Sequence, residues 1–350
     1  MSNWIILLIL VIFLYFYPNS THSFWDKQPV ARIKQNKYGL IAINPVFNIN
    51  LRKKYNFSET GVTNKTLSFI NNHFSLYNKF QLDFLKNTLT LNTKIKVHNI
   101  HLYDKNKLVG FIHAKPINMI IEAIKINIYY VDFLCIHAEY RKKNLATFLI
   151  AKLINNCHSK QVFLFKKDNN PLPFNYINKT AYYYKKNINR ISNGLLNKFN
   201  TSFKNIETIY NFIISIKKEY TCYDNISLQQ FKELYFNNKS KHIVVESKNN
   251  VIISVSIYVN NLFNDRNTIF KTLDIEYIYI KKKNLEISTI IEYLGTICNN
   301  NTVLTCIDQM HNNYFIKKYN FNKGMNLYYH MYNYTINKQL KNSELSFNLL

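Results

Sequence analysis

The stretch from Lys125 to Ile154 constrains the fold more than any other part of the chain. Lys125 to Ile136 (KINIYYVDFLCI) is rich in β-branched and aromatic side chains and reads as a buried strand. A basic turn containing Arg141, Lys142 and Lys143 follows. Beyond it, Leu145 to Ile154 (LATFLIAKLI) carries apolar residues at helical spacing. A strand passing through a basic turn into a helix brings the helix's N-terminal N–H groups beside three cations. That arrangement suits an anion such as a diphosphate. A solvated basic turn ahead of an ordinary helix is the structural alternative, and the turn alone does not choose between them.

Further strand patterns occur at Leu108–His113, Ser254–Val259, Leu273–Ile280, Val303–Ile307 and Asn326–Tyr334, with helical segments between them. Strands and helices in both halves predict an α/β or α+β protein built from two similar lobes. With 350 residues, 47% of them hydrophobic, the chain can bury the interior of two domains, and 6 Gly and 6 Pro exclude a linker-dominated chain.

Trp4 to Tyr17 (WIILLILVIFLYFY) is an unbroken apolar run. As a helix its 14 residues reach ~21 Å, less than a ~30 Å hydrocarbon core. A membrane tether, a signal and a buried helix are the three readings. The tether is the preferred one, with the catalytic part facing the cytoplasm. Pro18–Thr21 would be the linker.

The net charge of +25 favours a polyanion, a membrane surface or a phosphorylated cofactor as partner. Nucleic acid or ribosome contact is compatible with this charge, yet no RNA-binding signature accompanies it. Abundant Asn, Lys, Ile, Tyr and Phe are also what an A/T-rich genome would encode. Five cysteines without a C-x-x-C pair, and ten scattered histidines, outline no metal site.

Four blocks in order carry a resemblance. Phe133-Leu134-Cys135-Ile136-His137, with Arg141, Lys143, Leu145-Ala146 and Leu149-Ile150, resembles the signature block of the N-myristoyltransferases. Phe24 to Val30 (FWDKQPV), Lys107 to Ile112 with Pro116, and the tyrosine-rich Asn326–Tyr334 resemble three more of that family's segments. The resemblance covers residues 24 to 350. It implies two acetyltransferase-like lobes related by a pseudo-twofold axis around a continuous mixed sheet. Residues 1–21 would be the anchor or signal with its linker, 22–190 the acyl-CoA lobe, and 191–350 the peptide lobe carrying the catalytic C-terminus.

The implied reaction moves a myristoyl group from myristoyl-CoA, a co-substrate, to the N-terminal glycine amine of a protein; no metal or other cofactor is implied. By resemblance the backbone amides of Phe133 and Leu134 hold the oxyanion, and the α-carboxylate of Leu350 is the base that deprotonates the amine. Phe24, Trp25, Leu134, Ile136, Lys142, Asn144, Leu145 and Ala146 would contact the CoA, and Tyr183 the peptide. Departures gather on the peptide side. Lys185 stands where the family has His, no acidic cluster lies in Phe74–Leu82, and Lys323-Gly324-Met325 replaces a Gly-Asp-Gly turn. These changes remove negative charge or add positive charge, which predicts lost preference for basic residues downstream of the substrate glycine. The alternative function is a non-catalytic relative that binds acyl-CoA or acylated cargo at a membrane.

Overall fold

The structure is a computed structural model. It describes residues 24–25, 28–30, 39–49, 54–74, 79–90, 96–186, 205–236, 239–247, 250–263, 269–281, 294 and 302–347. The apolar run 4–17 lies outside these residues. Among the described residues no helix is long and apolar enough to cross a membrane.

The expected strands form, and most are longer than their patterns suggested. After β1 (Gly39–Leu40) and β2 (Tyr55–Glu59) come helices α1 (Asn64–His73) and α2 (Leu82–Leu89). Three consecutive antiparallel strands follow: β3 (His98–Asp104), β4 (Lys107–Ile121) and β5 (Ile124–Ile136). Helix α3 (Leu145–Asn156) crosses over to β6 (Val162–Asp168), which pairs parallel with β5. Next is β7 (Asn178–Lys186).

The later half contributes α4 (Ile206–Lys217), β8 (Cys222–Asp224), α5 (Leu228–Tyr235), β9 (Ser240–Ser247), β10 (Asn250–Phe263) and β11 (Ile269–Ile280). It continues through β12 (Thr302–Ile307), α6 (Asn312–Lys318), β13 (Asn322–Tyr332), β14 (Tyr334–Thr335) and β15 (Leu345–Ser346).

One sheet runs through both halves in the order β15-β8-β4-β5-β6-β13-β7-β12-β11-β10-β9, with β3 and β2 joined along β4. Its central part reads alike from either end. The pairs β4/β5 and β10/β11 are antiparallel, and β5/β6 and β11/β12 are parallel. Between them β13 and β7 are antiparallel to each other and to their outer neighbours. The late strand β13 therefore lies between two strands of the first half, and β7 pairs with strands of the second. The described strands of both halves thus share one mixed sheet, as the resemblance implied.

Side-chain chemistry explains the packing of the first half. Helix α3 lays Leu145, Leu149, Ile150, Leu153 and Ile154 along one face, against Ile100, Val109, Ile112 and Ala114. Full burial of each such side chain is worth about 1.5–3 kcal/mol. Gly110 of β4 lets the helix come this close. A Cβ there would lie 2.9 Å from Leu149 Cδ1, 3.0 Å from Ile136 Cδ1 and 3.3 Å from Leu102 Cβ. Replacing Gly110 by Val is expected to cost about 1–3 kcal/mol by overpacking, read as a lower denaturant midpoint.

The second half buries a carboxyl. Glu276 of β11 is 7% exposed and accepts a hydrogen bond from Ser256 Oγ. Burial, with Asp274 adding to it, pushes the Glu276 carboxyl up to about 8 against the pull of Ser256. The unfolded chain releases that proton near 4.5, so the folded protein holds one more proton between these values. Stability from this group is complete below about 4.5 and is lost as pH rises through about 8. Glu276→Gln should therefore gain stability relative to the unmodified chain at about pH 9 and not at about pH 5. Urea denaturation at both pH values reads the difference.

Candidate active site

Strands β5 and β6 run parallel and stay paired only as far as Val131↔Phe165. Beyond that point β6 pairs with β13 through Asp168, while residues 132–136 of β5 continue along β4. The two strands part at their carboxyl ends. Such an opening is where parallel-strand proteins place ligands.

A β-bulge sits at the same point. Phe111 pairs with Cys135 and His113 with Asp132, so Phe133 and Leu134 together face Ile112. Phe133 takes a left-handed backbone, with φ at 50°. The extra residue switches the side-chain alternation. Before it, Tyr129 and Val131 join the α3 cluster; after it, Leu134 and Ile136 do so, while Phe133 and Cys135 join the cluster of α1 and α2. The uncommon φ is held by packing: the Phe133 ring lies 5.2 Å from that of Phe74 and 6.3 Å from those of Phe80 and His113.

Downstream, His137 caps a short 3-10 turn, Ala138–Tyr140, and the chain reaches α3 through two left-handed residues, Lys142 at φ 61° and Asn144 at φ 57°. Asn144 is the N-cap of α3 but makes no side-chain cap hydrogen bond. The first-turn amides of α3, from Leu145 onward, therefore lack the usual cap acceptor. Left-handed residues alternating with ordinary ones also turn successive N–H groups toward one side.

The three cations of this turn do different things. Arg141 is a staple: its Nη2 donates to His73 O at 2.8 Å and its Nε to Ile136 O at 3.3 Å. Lys143 donates to Glu139 O at 3.0 Å and lies 4.8 Å from the centre of the Tyr140 ring. Lys142 is exposed. Of the basic triplet, Lys142 is the one the geometry leaves suited to meeting an anion. His73 and His137 stack at 4.2 Å beside this turn. Burial, and then neighbouring positive charge, holds both imidazoles below their usual range.

The predicted contact residues gather unevenly. Trp25 is buried in the same cluster as Leu145 and Leu149, with Phe24, Leu134 and Ile136 packed against it. The Trp25 ring lies 4.9 Å from Phe174 and 5.9 Å from Phe165, and Phe24 stacks on Phe47 at 5.8 Å. Gln28 pins this segment to β13, donating to Phe24 O and accepting from Tyr332 Oη at 3.1 Å. Lys142, Asn144 and Ala146 lie on the adjoining turn and helix start.

Tyr183 is not part of that group. It sits on β7 opposite Cys306 and Lys323, packed against the second-half cluster. Lys185, two residues on, donates to Tyr319 O at 2.7 Å. Leu350 lies outside the described residues. The chain can be followed to Phe347, which is 2% exposed and meets the Tyr329 ring edge-on at 5.3 Å.

Sequence reasoning passed over Asp132, Lys115 and Lys166. Asp132 Oδ1 accepts the Phe133 N–H at 2.8 Å, and its Oδ2 accepts from Tyr130 Oη at 3.3 Å. Lys115 and Lys166 lie 5.6 and 5.8 Å from the centre of the Tyr130 ring. Burial, with Lys166 adding to it, pulls the Lys115 ammonium down to about 8. A lone carboxylate inside the apolar run VDFLCI was the available signal.

Residues 25–165 match the family model described as Myristoyl-CoA:protein N-myristoyltransferase, N-terminal domain. Over these residues the chain is similar to the N-myristoyltransferases. A protein of Amsacta moorei entomopoxvirus named as a glycylpeptide N-tetradecanoyltransferase is 29% identical over 229 residues, covering 63% of this chain and 69% of that one. The Dictyostelium discoideum glycylpeptide N-tetradecanoyltransferase is 27% identical over 166 residues, 41% of this chain and 39% of the relative. Saccharomyces cerevisiae N-myristoyltransferase, solved with bound myristoyl-CoA, superposes with a TM-score of 0.77 at 16% identity over 95% of this chain and 94% of that one. The large mixed sheet is thus the N-myristoyltransferase fold.

The backbone of the turn is directly testable. Asn144→Gly is expected to preserve stability, because glycine accepts the left-handed φ. Asn144→Val should cost about 1–2 kcal/mol, and comparing the two midpoints in denaturant separates backbone strain from loss of the amide side chain.

Proposed function

We propose that the protein transfers a myristoyl group from myristoyl-CoA to the N-terminal glycine amine of protein substrates. One observation carries this reading: the bulge at Phe133–Leu134 lies where β5 and β6 part, and the same strand leads directly into the uncapped start of α3. A thioester reaching into the opening would have its carbonyl near the bulge amides while its diphosphate met the helix.

The roles follow from that placement. The first-turn amides Leu145 and Ala146, the left-handed pair Lys142 and Asn144, and the Lys142 ammonium would hold the diphosphate. Phe24, Trp25, Leu134 and Ile136 would supply apolar contact to the rest of the CoA. The amine attacks the thioester carbon, forming the C–N bond, and the carbonyl electron pair moves onto oxygen. The amides of Phe133 and Leu134 would stabilise that oxyanion, each such donor being worth about 2.7–4 kcal/mol. Collapse reforms C=O and breaks C–S, and the departing thiolate takes a proton from the new amide nitrogen.

Glycine arrives as an ammonium, so the site also needs a proton acceptor. The sequence points to the α-carboxylate of Leu350, and the buried course of the chain as far as Phe347 supports that reading. Tyr183, on the second-half side of the sheet, would border the peptide.

Mass spectrometry of the full chain with myristoyl-CoA and a Gly-Asn-x-x-Ser peptide should show the peptide carrying one myristoyl group. An otherwise identical Ala-first peptide should remain unmodified. Clear binding of myristoyl-CoA without transfer would instead identify a protein that retained the acyl site alone.

A further inference from the structure

The second half repeats the opening of the first. Strands β11 and β12 run parallel and stay paired only to Ile275↔Cys306. One extra residue then enters β11, since Ile275 pairs with Ile257 and Tyr277 with Ser256. The same succession marks β5, where a bulge against β4 follows the last pair with β6. Beyond the last parallel pair β11 continues along β10, while β12 continues along β7 through Ile307↔Tyr182. The segment after β12 spans the gap between them. Asp308 exchanges hydrogen bonds with Ala181 of β7, and His311 Nδ1 accepts the Ile280 N–H at the far end of β11.

The two openings differ in charge. Arg141, Lys142 and Lys143 border the first, whereas carboxyls line the second. Glu276 is the extra residue, held by Ser256 Oγ, and Asp274, two residues earlier on the same face, accepts from Thr305 Oγ1. Tyr258, opposite Asp274, and Asn260, opposite Thr272, extend this polar face. The reverse face of the same strands is apolar: Ile257, Leu273, Ile275 and Cys306 belong to one core cluster. Gln309, in the segment that spans the gap, is 1% exposed, and neither its Oε1 nor its Nε2 has a hydrogen-bond partner. Asn260 Oδ1 is likewise unpartnered at 5% exposure. Each buried polar group left unpaired costs about 1–3 kcal/mol, which a ligand rich in donors would offset. Asp274 and Tyr258 are only half-buried, so solvent reaches this face.

We infer that the opening between β11 and β12 binds a lysine or arginine side chain of the protein substrate, with Asp274 and Glu276 as its acidic partners and Gln309 Oε1 as a further acceptor. The inference rests on the acyl-transfer reading and names what the second half recognises. A lysine ammonium brings three donors and an arginine five, which matches a wall made of acceptors. Glu276, pushed up to about 8 by burial, carries a proton near neutral pH in the empty site. The arriving cation displaces that proton to solvent, so the pair forms without an uncompensated buried charge.

The two openings lie within reach of one peptide. Tyr182 of β7 is in the electrostatic range of Lys166 on β6 and of Asp274 on β11. Sheet order places β11 five strand spacings from β5, a span of about 24 Å that roughly seven extended residues cover. The basic residue therefore stands within about seven positions of the substrate glycine. The lost preference for basic residues expected from Lys185 and from Lys323-Gly324-Met325 counted only the acids of the motif segments. Asp274 and Glu276 lie outside those segments, and on this inference the acidic subsite stands on β11 instead.

The test uses the full chain at saturating myristoyl-CoA and a set of otherwise uncharged glycyl peptides. Each position after the glycine carries in turn a lysine or norleucine, its uncharged counterpart. At one position kcat/KM should favour lysine over norleucine by about tenfold or more. Asp274→Asn combined with Glu276→Gln should bring that ratio to about one, with myristoyl-CoA affinity retained as the control for folding. A ratio near one at every position of the unmodified chain, or a lysine preference that survives the double substitution, overturns the inference.

Should the double variant fail to fold, Gln309→Leu decides. It removes one acceptor and should lower the lysine-to-norleucine ratio, and an unchanged ratio overturns the inference. Calorimetric binding of the same peptides reads the ratio without any chemistry. Absence of transfer by the unmodified chain, alongside tighter binding of a lysine peptide than of its norleucine counterpart, overturns the acyl-transfer reading and leaves the acidic subsite standing. Transfer without any lysine preference does the reverse.

Discussion

The one-residue offset in β5 organises everything around it. Without it, the alternation that sends Tyr129 and Val131 toward α3 would send Phe133 and Cys135 there too, and Leu134 and Ile136 to the opposite side. With it, both faces remain apolar, and the register against β4 shifts where the β6 pairing stops. The left-handed φ at Phe133 carries a cost, and the aromatic cluster of Phe74, Phe80 and His113 holds it in place. The rigidity of this spot is therefore a product of core packing, and the polar chemistry inherits it.

Charge at the site is more selective than the overall +25 suggests. Of the basic triplet, Arg141 ties the turn to the end of α1, and Lys143 folds back on the 3-10 segment. The interior lysines are a different population. Lys115 and Lys166 lie 5.6 and 5.8 Å from the centre of the Tyr130 ring. Composition reflects the surface, whereas the local fields come from a few residues whose positions only the fold determines.

The strand from Lys125, the basic turn and α3 were legible in the sequence because their signals are local: β-branched composition, charge, and helical spacing. The bulge was not legible, since it is a property of register between two strands and VDFLCI reads as unbroken. Asp132 was overlooked for the same reason, lying within a run classed as core. The path of β13 between β6 and β7 depends on contacts more than a hundred residues apart in sequence, and no pattern in Asn326–Tyr334 announces it. One apolar cluster holds Phe24, Trp25, Leu134, Ile136 and Leu145, which the motif resemblance had grouped. It could not say how Tyr183 relates to them, and the structure puts that residue with the other cluster.

The position of β13 has a consequence for how the molecule comes into being. A ribosome releases the β5–α3–β6 segment long before residue 332 exists, so the inner edge of β6 must wait, unpaired, for a strand made near the end of synthesis. The same delay applies to β7, whose two neighbours both come from later in the chain. Long-range pairing of this kind is slow to form and leaves sticky edges exposed meanwhile. A nascent chain with this topology cannot lock one half before starting the other, so premature termination would leave an incomplete sheet and not a smaller working lobe.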